Sequence, residues 1–404
     1  MSNLTIEKTL VAQRITEINE SATLAMAQKS RDLAAKGIDV INLSLGEPDF
    51  NTPQFIKEAA KKAIDDNYSK YPPVAGFLDL RKAICEKFKR ENGLLYEPNQ
   101  IVVSTGAKQS VINAVLSIVN PGDEVLLPAP YWVSYSEMVK FAGGIPVEIP
   151  TTIQTDFKAT TEQLKKHITS KTKLMMFSSP CNPSGSVYTK DELKAIADLF
   201  SQYDDLYVIS DEIYEHINFV DKHVSIAQFE SIKNKTVVVN GLSKSFAMTG
   251  WRLGYSASPL HIAQASIKLQ GLFTSGANAV TQIAAITALN SDLAETKKMN
   301  AIFKTRRDLL LKIVSDIPGM KLNTPQGAFY VFPDVSFYYG KSFNGKLIKT
   351  GSDLCEYLLE IAHVALVSGE GFGDSKCIRI SYATSEEKLV KAVERIKIAL
   401  LNLK

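Results

Sequence analysis

The chain has 404 residues, 45% hydrophobic and 22% charged, with 46 basic residues against 43 acidic ones. That is folded globular composition, too long for one comfortable hydrophobic core, so two domains are expected and disorder is excluded. A formal net charge of +3 gives no electrostatic basis for binding nucleic acid or an anionic membrane.

In chain order, Ser21-Ala-Thr23 signals the cap of a helix through "LAMAQKSRDLAAKG" that stops at Gly37. "DVINLSLGEPDFNTP" gives a short strand and a turn-rich loop. From about residue 53 helices and apolar strands alternate. Strands are expected at 101–104, 124–128, 173–179, 206–210, 236–240 and 252–258. Val237, Val238 and Val239 form an apolar run that reads as a strand buried on both faces. Helical stretches such as "KQSVINAVLSIV" and "DELKAIADLFSQY" lie between most of them. The alternation predicts a mostly parallel sheet covered by helices on both sides. Near residue 290 the pattern changes to long amphipathic helices (293–317 and 385–403) flanking short strands such as "GAFYVFP" and "CIRISYA". This predicts a large domain at 51–290 and a smaller α+β domain at 291–404, joined by the N-terminal segment 1–50.

Cys85, Cys181, Cys355 and Cys377 are far apart, with no C-x-x-C pair, which fits a reducing compartment and offers no disulfide framework or zinc site. No apolar run reaches membrane-spanning length, and the opening "MSNLTIEKTLVAQRITEINES" carries acids and lacks an apolar signal core. A cytoplasmic protein with no bound metal is expected.

Several expected strand ends carry polar residues. "LYVIS" leads to Asp211 in "SDEIYEH", with Tyr214 three residues on; "MMFSS" leads to "PCNPSG", with Asn182. "IVVS" leads to "TGAKQS", where Gly106 precedes a helix and the backbone N–H groups can cradle a phosphate. "TVVVN" leads to "GLSKSFAMTGWRLGY", with Lys244 and Arg252. Singly these are a helix cap, turns, a surface lysine and an ion-pairing arginine. Together they put a phosphate cradle, an acid, a phenol, an amide and a lysine at one sheet edge, the set that pyridoxal phosphate requires.

The segments "SKSFAMTGWRLGY", "SDEIYEH", "CNPSG", "STGAKQS", "PYWVSY" and "IRISYAT" resemble the class I aminotransferases of fold type I, above all the bacterial aspartate aminotransferases with "GK" after the phosphate-loop strand. The resemblance spans nearly the whole chain. It implies a seven-stranded, mostly parallel sheet in the large domain, a pyridoxal 5'-phosphate cofactor and a homodimer. It implies that Lys244 forms an imine with the cofactor and serves as general base, that Asp211 pairs with the ring nitrogen, and that Tyr214 and Asn182 bond the ring hydroxyl. By the same resemblance Gly106, Ala107, Lys108, Ser243 and Arg252 hold the phosphate, Trp132 stacks on the ring, and Tyr71 reaches the other subunit's phosphate. Arg379 would grip the substrate α-carboxylate, Gly46 would touch substrate through its backbone, and Lys108 would meet a distal carboxylate. Trp132 and Asn182 would also border the substrate.

Two positions depart from the pattern: Gly241 stands where relatives often have a phosphate-binding serine, and Asn19-Glu20 stands where they often have Lys-Pro. The first leaves Ser243 to supply a hydroxyl; the second weakens any inference to prephenate as a substrate. The implied activity is amino transfer between L-aspartate or L-glutamate and 2-oxo acids by a ping-pong mechanism. The alternatives are an aminotransferase for aromatic or other neutral amino acids and a carbon–sulfur lyase on the same scaffold. A transcription regulator would need a DNA-binding domain for which the residues before "SAT" leave no room. A nucleotide-binding enzyme would need a P-loop, and "GKSFNGK" (340–346) ends in Leu347 where Ser or Thr belongs. "GEGFG" lacks a following helix, and the five histidines show no H-E-x-x-H spacing; His216 reads as structural.

Overall fold

The computed structural model describes residues 11–20, 22–220 and 222–404, so the Ser21 cap lies outside the described residues. The helix it introduces, α1, runs Ala22–Ala35 and closes in a turn where the Gly37 N–H bonds the Ala34 carbonyl.

Seven strands form the main sheet: β1 (Ile101–Ser104), β2 (Glu124–Ala129), β3 (Ile145–Pro150), β4 (Thr172–Ser178), β5 (Tyr207–Asp211), β6 (Thr236–Gly241) and β7 (Gly254–Ala257). Their spatial order is β1-β7-β6-β5-β4-β2-β3. Only β7 is antiparallel to its neighbours, so the other six end at one edge of the sheet. The apolar runs are explained by burial on both faces. Leu127, Met176, Ile209 and Val239 enter one hydrophobic cluster, with the helix α2 (Ala107–Ile118). The alternate residues Leu126, Met175 and Val208 enter another, with the helix at Lys190–Phe200. Each buried Leu, Ile, Met or Val is worth about 1.5–3 kcal/mol, and the period-2 register delivers one to each face in turn.

The sequence reading misses β3. "IPVEIP" carries Pro146 and Pro150 and a glutamate, which argue against a central strand; the structure puts it at the sheet edge, where missing N–H donors are tolerated. The strand expected from Arg252 begins only at Gly254, because Arg252 is in the left-handed region at φ 55°.

The second core gathers around the helices α3 (Ala294–Ser315) and α4 (Glu386–Leu401), whose Phe303, Leu310, Val314, Leu389, Val393 and Ile396 recur at helical spacing. Its antiparallel sheet runs in the order Val367–Ser368, Ile378–Ser381, Tyr330–Val331, so Arg379 and Tyr330 lie on adjacent strands. "GAFYVFP" contributes only two strand residues, since Ala328 takes φ 57°. Ile41 and Asn42 pair in parallel with Val364 and Ala365, which ties the N-terminal segment to this core. The "GKSFNGK" segment is a hairpin, Ser342–Phe343 against Lys346–Leu347, turning through Asn344-Gly345. Among the described residues no helix is long and apolar enough to cross a membrane.

Candidate active site

The loops after β1, β4, β5 and β6 meet the second core at a cavity of about 360 Å³. A larger groove of about 750 Å³ lies beside it, lined by Glu20, Glu137, Lys140, Glu148 and Glu370, but Lys244, Asp211, Arg252 and Arg379 converge in the smaller one.

The helix α2 opens at Gly106, whose φ of 83° suits glycine; a Cβ there would also sit 2.4 Å from Arg252 Nη2. The guanidinium is therefore held against the helix N-terminus, with Nη1 donating to the Thr249 carbonyl at 2.9 Å. The Ala107 and Lys108 N–H groups have no acceptor among the described residues. Gly254 allows this approach from the other side, since a Cβ would meet the Ala107 nitrogen at 2.2 Å. An arginine and the free N–H groups of a helix start make a site for a dianion.

Asp211, at the end of β5, is 5% exposed. Tyr135 donates to one of its oxygens at 2.9 Å and the Ile213 N–H to the other at 3.2 Å. Burial pushes its carboxyl up to about 6 against the pull of those two bonds. Lys244 Nζ donates to the Gly46 carbonyl. Desolvation lowers its ammonium to about 8; Glu47 resists the shift, while Arg379 and Arg252 add to it. Its side chain is part-exposed where it borders the cavity, yet it is closely surrounded by protein, and the shift follows those surroundings.

Arg379 is 2% exposed; Nη1 donates to Asn182 Oδ1 at 2.9 Å and Nη2 to the Ser44 carbonyl at 2.6 Å. It forms no ion pair among the described residues, and its Nε is buried without a partner. Burying an uncompensated guanidinium is costly, so the arrangement suits an anion arriving from outside. Tyr214 shares a 2.7 Å hydroxyl contact with Tyr330. Lys108 Nζ lies 4.9 Å from the Trp132 ring centre, and partial desolvation followed by the Arg252 charge lowers its pKa. Trp132 in turn meets Tyr135 edge to face at 5.5 Å.

Of the residues singled out in the sequence, Gly46, Ala107, Lys108, Trp132, Asn182, Asp211, Tyr214, Ser243, Lys244, Arg252 and Arg379 all line this cavity; Gly106 stands behind Arg252. Gly241 does not line it. Tyr71 is 91% exposed and lies beside Thr274–Ala279, away from the cavity of its own chain. The sequence reading missed Tyr135, Tyr330, Ser44 and Ser178, whose buried Oγ has no partner. Tyr135 could have been found, since it follows Trp132 by three residues into a helix and so shares its face. Tyr330 had no signal beyond an apolar strand pattern.

Comparison with known proteins agrees with this geometry. The family "Aminotransferase class I and II" matches residues 38–396. A bifunctional aspartate aminotransferase and glutamate/aspartate-prephenate aminotransferase of Petunia hybrida is 48% identical over 98% of this chain and 83% of its own length. A probable aspartate/prephenate aminotransferase of Rhizobium leguminosarum is 46% identical over 96% of this chain and 98% of its own. Among solved structures, the aspartate aminotransferase of Rhizobium meliloti superposes with a TM-score of 0.94 at 41% identity, covering 98% of this chain and 100% of that one. That of Thermus thermophilus with maleate gives 0.91 at 40% identity, covering 96% and 99%. A family match over residues 38–396, relatives nearly half identical over almost the whole chain and a seven-stranded α/β scaffold shared with solved aminotransferases place this chain among enzymes: it belongs to the class I and II aminotransferases.

Proposed function

We propose that this enzyme moves the amino group between L-aspartate or L-glutamate and 2-oxo acids, using pyridoxal 5'-phosphate held in the cavity at Lys244. The observation that carries the reading is the buried Arg379, without an ion-pair partner among the described residues, lining the same small cavity as Lys244, Asp211 and Arg252. The residues present fit the cofactor. Arg252, Ser243 and the free N–H groups of Ala107 and Lys108 would hold its phosphate, Asp211 its ring nitrogen, Tyr214 and Asn182 its ring hydroxyl, and Trp132 its face. When bound, the cofactor supplies an aldehyde for amine exchange and a ring that takes up the electron pair released at the substrate α-carbon.

The chain's own residues do the rest. Asp211, kept ionised by a cationic partner, favours the protonated ring. Lys244, whose ammonium is destabilised by burial, would take the proton from the α-carbon and return it one position along. Arg379 fixes the α-carboxylate through its fork, and Lys108 offers a flexible point charge to the distal carboxylate of either dicarboxylic donor. Gly46 lends its carbonyl to Lys244 and its backbone to the substrate.

The same reading makes the active unit a homodimer in which Tyr71 reaches the neighbouring subunit's phosphate. Its exposure supports this, as does the exposure of Leu272 (84%) and Phe273 (54%). It also divides the chain into a large domain at 51–290 and a small domain at 291–404 joined by residues 1–50. Four unpaired cysteines favour the cytoplasm.

The test is a half-reaction screen. Each amino acid is mixed singly with the loaded enzyme, and conversion of the cofactor to its aminated form is read from the visible spectrum. Aspartate and glutamate should convert it fastest, and Lys244→Ala should retain cofactor but not turn over. Full turnover by that variant, or equal conversion by neutral donors, would sink the reading.

A further inference from the structure

Tyr330 is where several of the site's groups meet, and no role for it has emerged so far. It is 0% exposed and lies on the strand adjacent to that of Arg379. Its hydroxyl is 2.7 Å from the Tyr214 hydroxyl, and the Arg379 guanidinium carbon lies 4.5 Å from its ring centre. A phenylalanine would fill nearly the same volume, so packing does not call for the hydroxyl. A leucine would fill much of it without a π-face.

We propose that Tyr330 is a positioning residue of the reaction site, its hydroxyl donating to the Tyr214 oxygen and its ring carrying the Arg379 guanidinium. The inference rests on the proposed function and adds a residue to it. Two hydroxyls at this distance share one hydrogen bond, in which one donates and the other accepts. Tyr214 can serve the cofactor's ring oxygen only if its own proton points there, which makes Tyr330 the donor of the pair. That direction polarises Tyr214 and strengthens the bond it gives onward. Arg379 has its two terminal nitrogens fixed by Asn182 and Ser44 and no ion-pairing carboxylate among the described residues. The electron-rich face of Tyr330, with Phe372 at 5.1 Å, holds the cation in place while leaving its charge available to a substrate carboxylate.

The test uses the full chain loaded with pyridoxal phosphate, as Y330F, Y330L, Y214F and the double variant Y214F/Y330F, each checked by circular dichroism. One readout is the pH midpoint of the bound cofactor's visible band. The other is the Kd of succinate, a dicarboxylate with no amino group to react. Y330F should raise the midpoint by about 0.5–1 pH unit, because the ring oxygen's anion loses support. It should change the succinate Kd less than about twofold, since the π-face remains. Y330L should raise the midpoint and also weaken succinate about 3- to 10-fold. In the Y214F background Y330F should add no further shift. The proposal is overturned by an unmoved midpoint in Y330F, by additive shifts in the double variant, or by parental succinate binding in Y330L. Absence of any Lys244-dependent band in the unsubstituted protein would overturn the functional reading and this proposal together; a normal band that Y330F fails to move overturns this proposal alone.

Discussion

Asp211→Asn should stabilise the cofactor-free protein while crippling the loaded one. Burial raises the Asp211 carboxyl from 3.8 to about 6, so the folded chain holds this proton more tightly than the unfolded chain does. Below about pH 3 both states are protonated and the group is neutral for stability. As pH rises toward 6 the unfolded chain ionises first, and the fold loses roughly 3 kcal/mol by pH 7 and above. Asparagine escapes that loss. Its carbonyl can accept from the Ile213 N–H, and the Tyr135 hydroxyl can rotate to accept from its amide, so both bonds survive the exchange. Urea unfolding of the cofactor-free proteins at equal concentration should therefore favour the variant by roughly 3 kcal/mol at pH 8 and by about half as much at pH 5. Adding pyridoxal phosphate should reverse the ranking, because the ring nitrogen's proton pairs with a carboxylate and not with an amide. A variant no more stable than the parent at pH 8, or an equal gain from cofactor in both, would refute the reasoning.

Lys108→Ala should lower kcat/KM for aspartate about 10- to 100-fold, the worth of one charge-assisted hydrogen bond, and leave alanine or phenylalanine as donors nearly unaffected. Equal losses for acidic and neutral donors would assign Lys108 to the phosphate instead. Tyr71→Phe should loosen the cofactor in a protein that sediments as a dimer, and a fully active monomer would rule out the shared site. The lowered Lys244 ammonium predicts that capture of pyridoxal phosphate by the cofactor-free protein speeds up from pH 6 to about 8 and then levels. A rise continuing to pH 10 would show an ordinary lysine.

The fold was legible wherever burial leaves a periodic trace. Val237, Val238 and Val239 announce a strand covered on both sides, and they divide between two clusters. Where chain geometry overrides pattern the trace fails: prolines hid an edge strand at 145–150, and a left-handed Arg252 cut short the one after it. In the site, residues that follow a strand end were readable because direction and turn place them. Tyr330 and Ser44 act across a boundary between distant segments, and no local spacing records that Tyr214 and Tyr330, 116 residues apart, would touch.

The segment "SDEIYEH" shows why a site of this kind needs more chain than lines its cavity. Asp211 and Tyr214 face the cavity, whereas Glu212 and Glu215, both buried, and the partly buried His216 do not line it and bond to polar groups elsewhere. There Glu215 pairs with Lys87 and accepts from Asn92 at 3.0 Å, and His216 meets Glu91 at 2.9 Å. Glu212 accepts from the Ser210 and Ser225 hydroxyls at 2.9 and 2.6 Å and faces His223 at 3.0 Å. The acids and histidines lie close enough together to hold a metal ion, but the Lys87 ammonium already supplies the cation at Glu215. Such buried pairs add little net stability over apolar packing, yet losing one partner leaves a stranded charge. Three side chains of one short turn are thus engaged away from the cavity, next to the Asp211 and Tyr214 side chains that line it. Asp211 stands at the start of that turn, where burial raises its pKa and the neighbouring Glu212 charge adds to the shift.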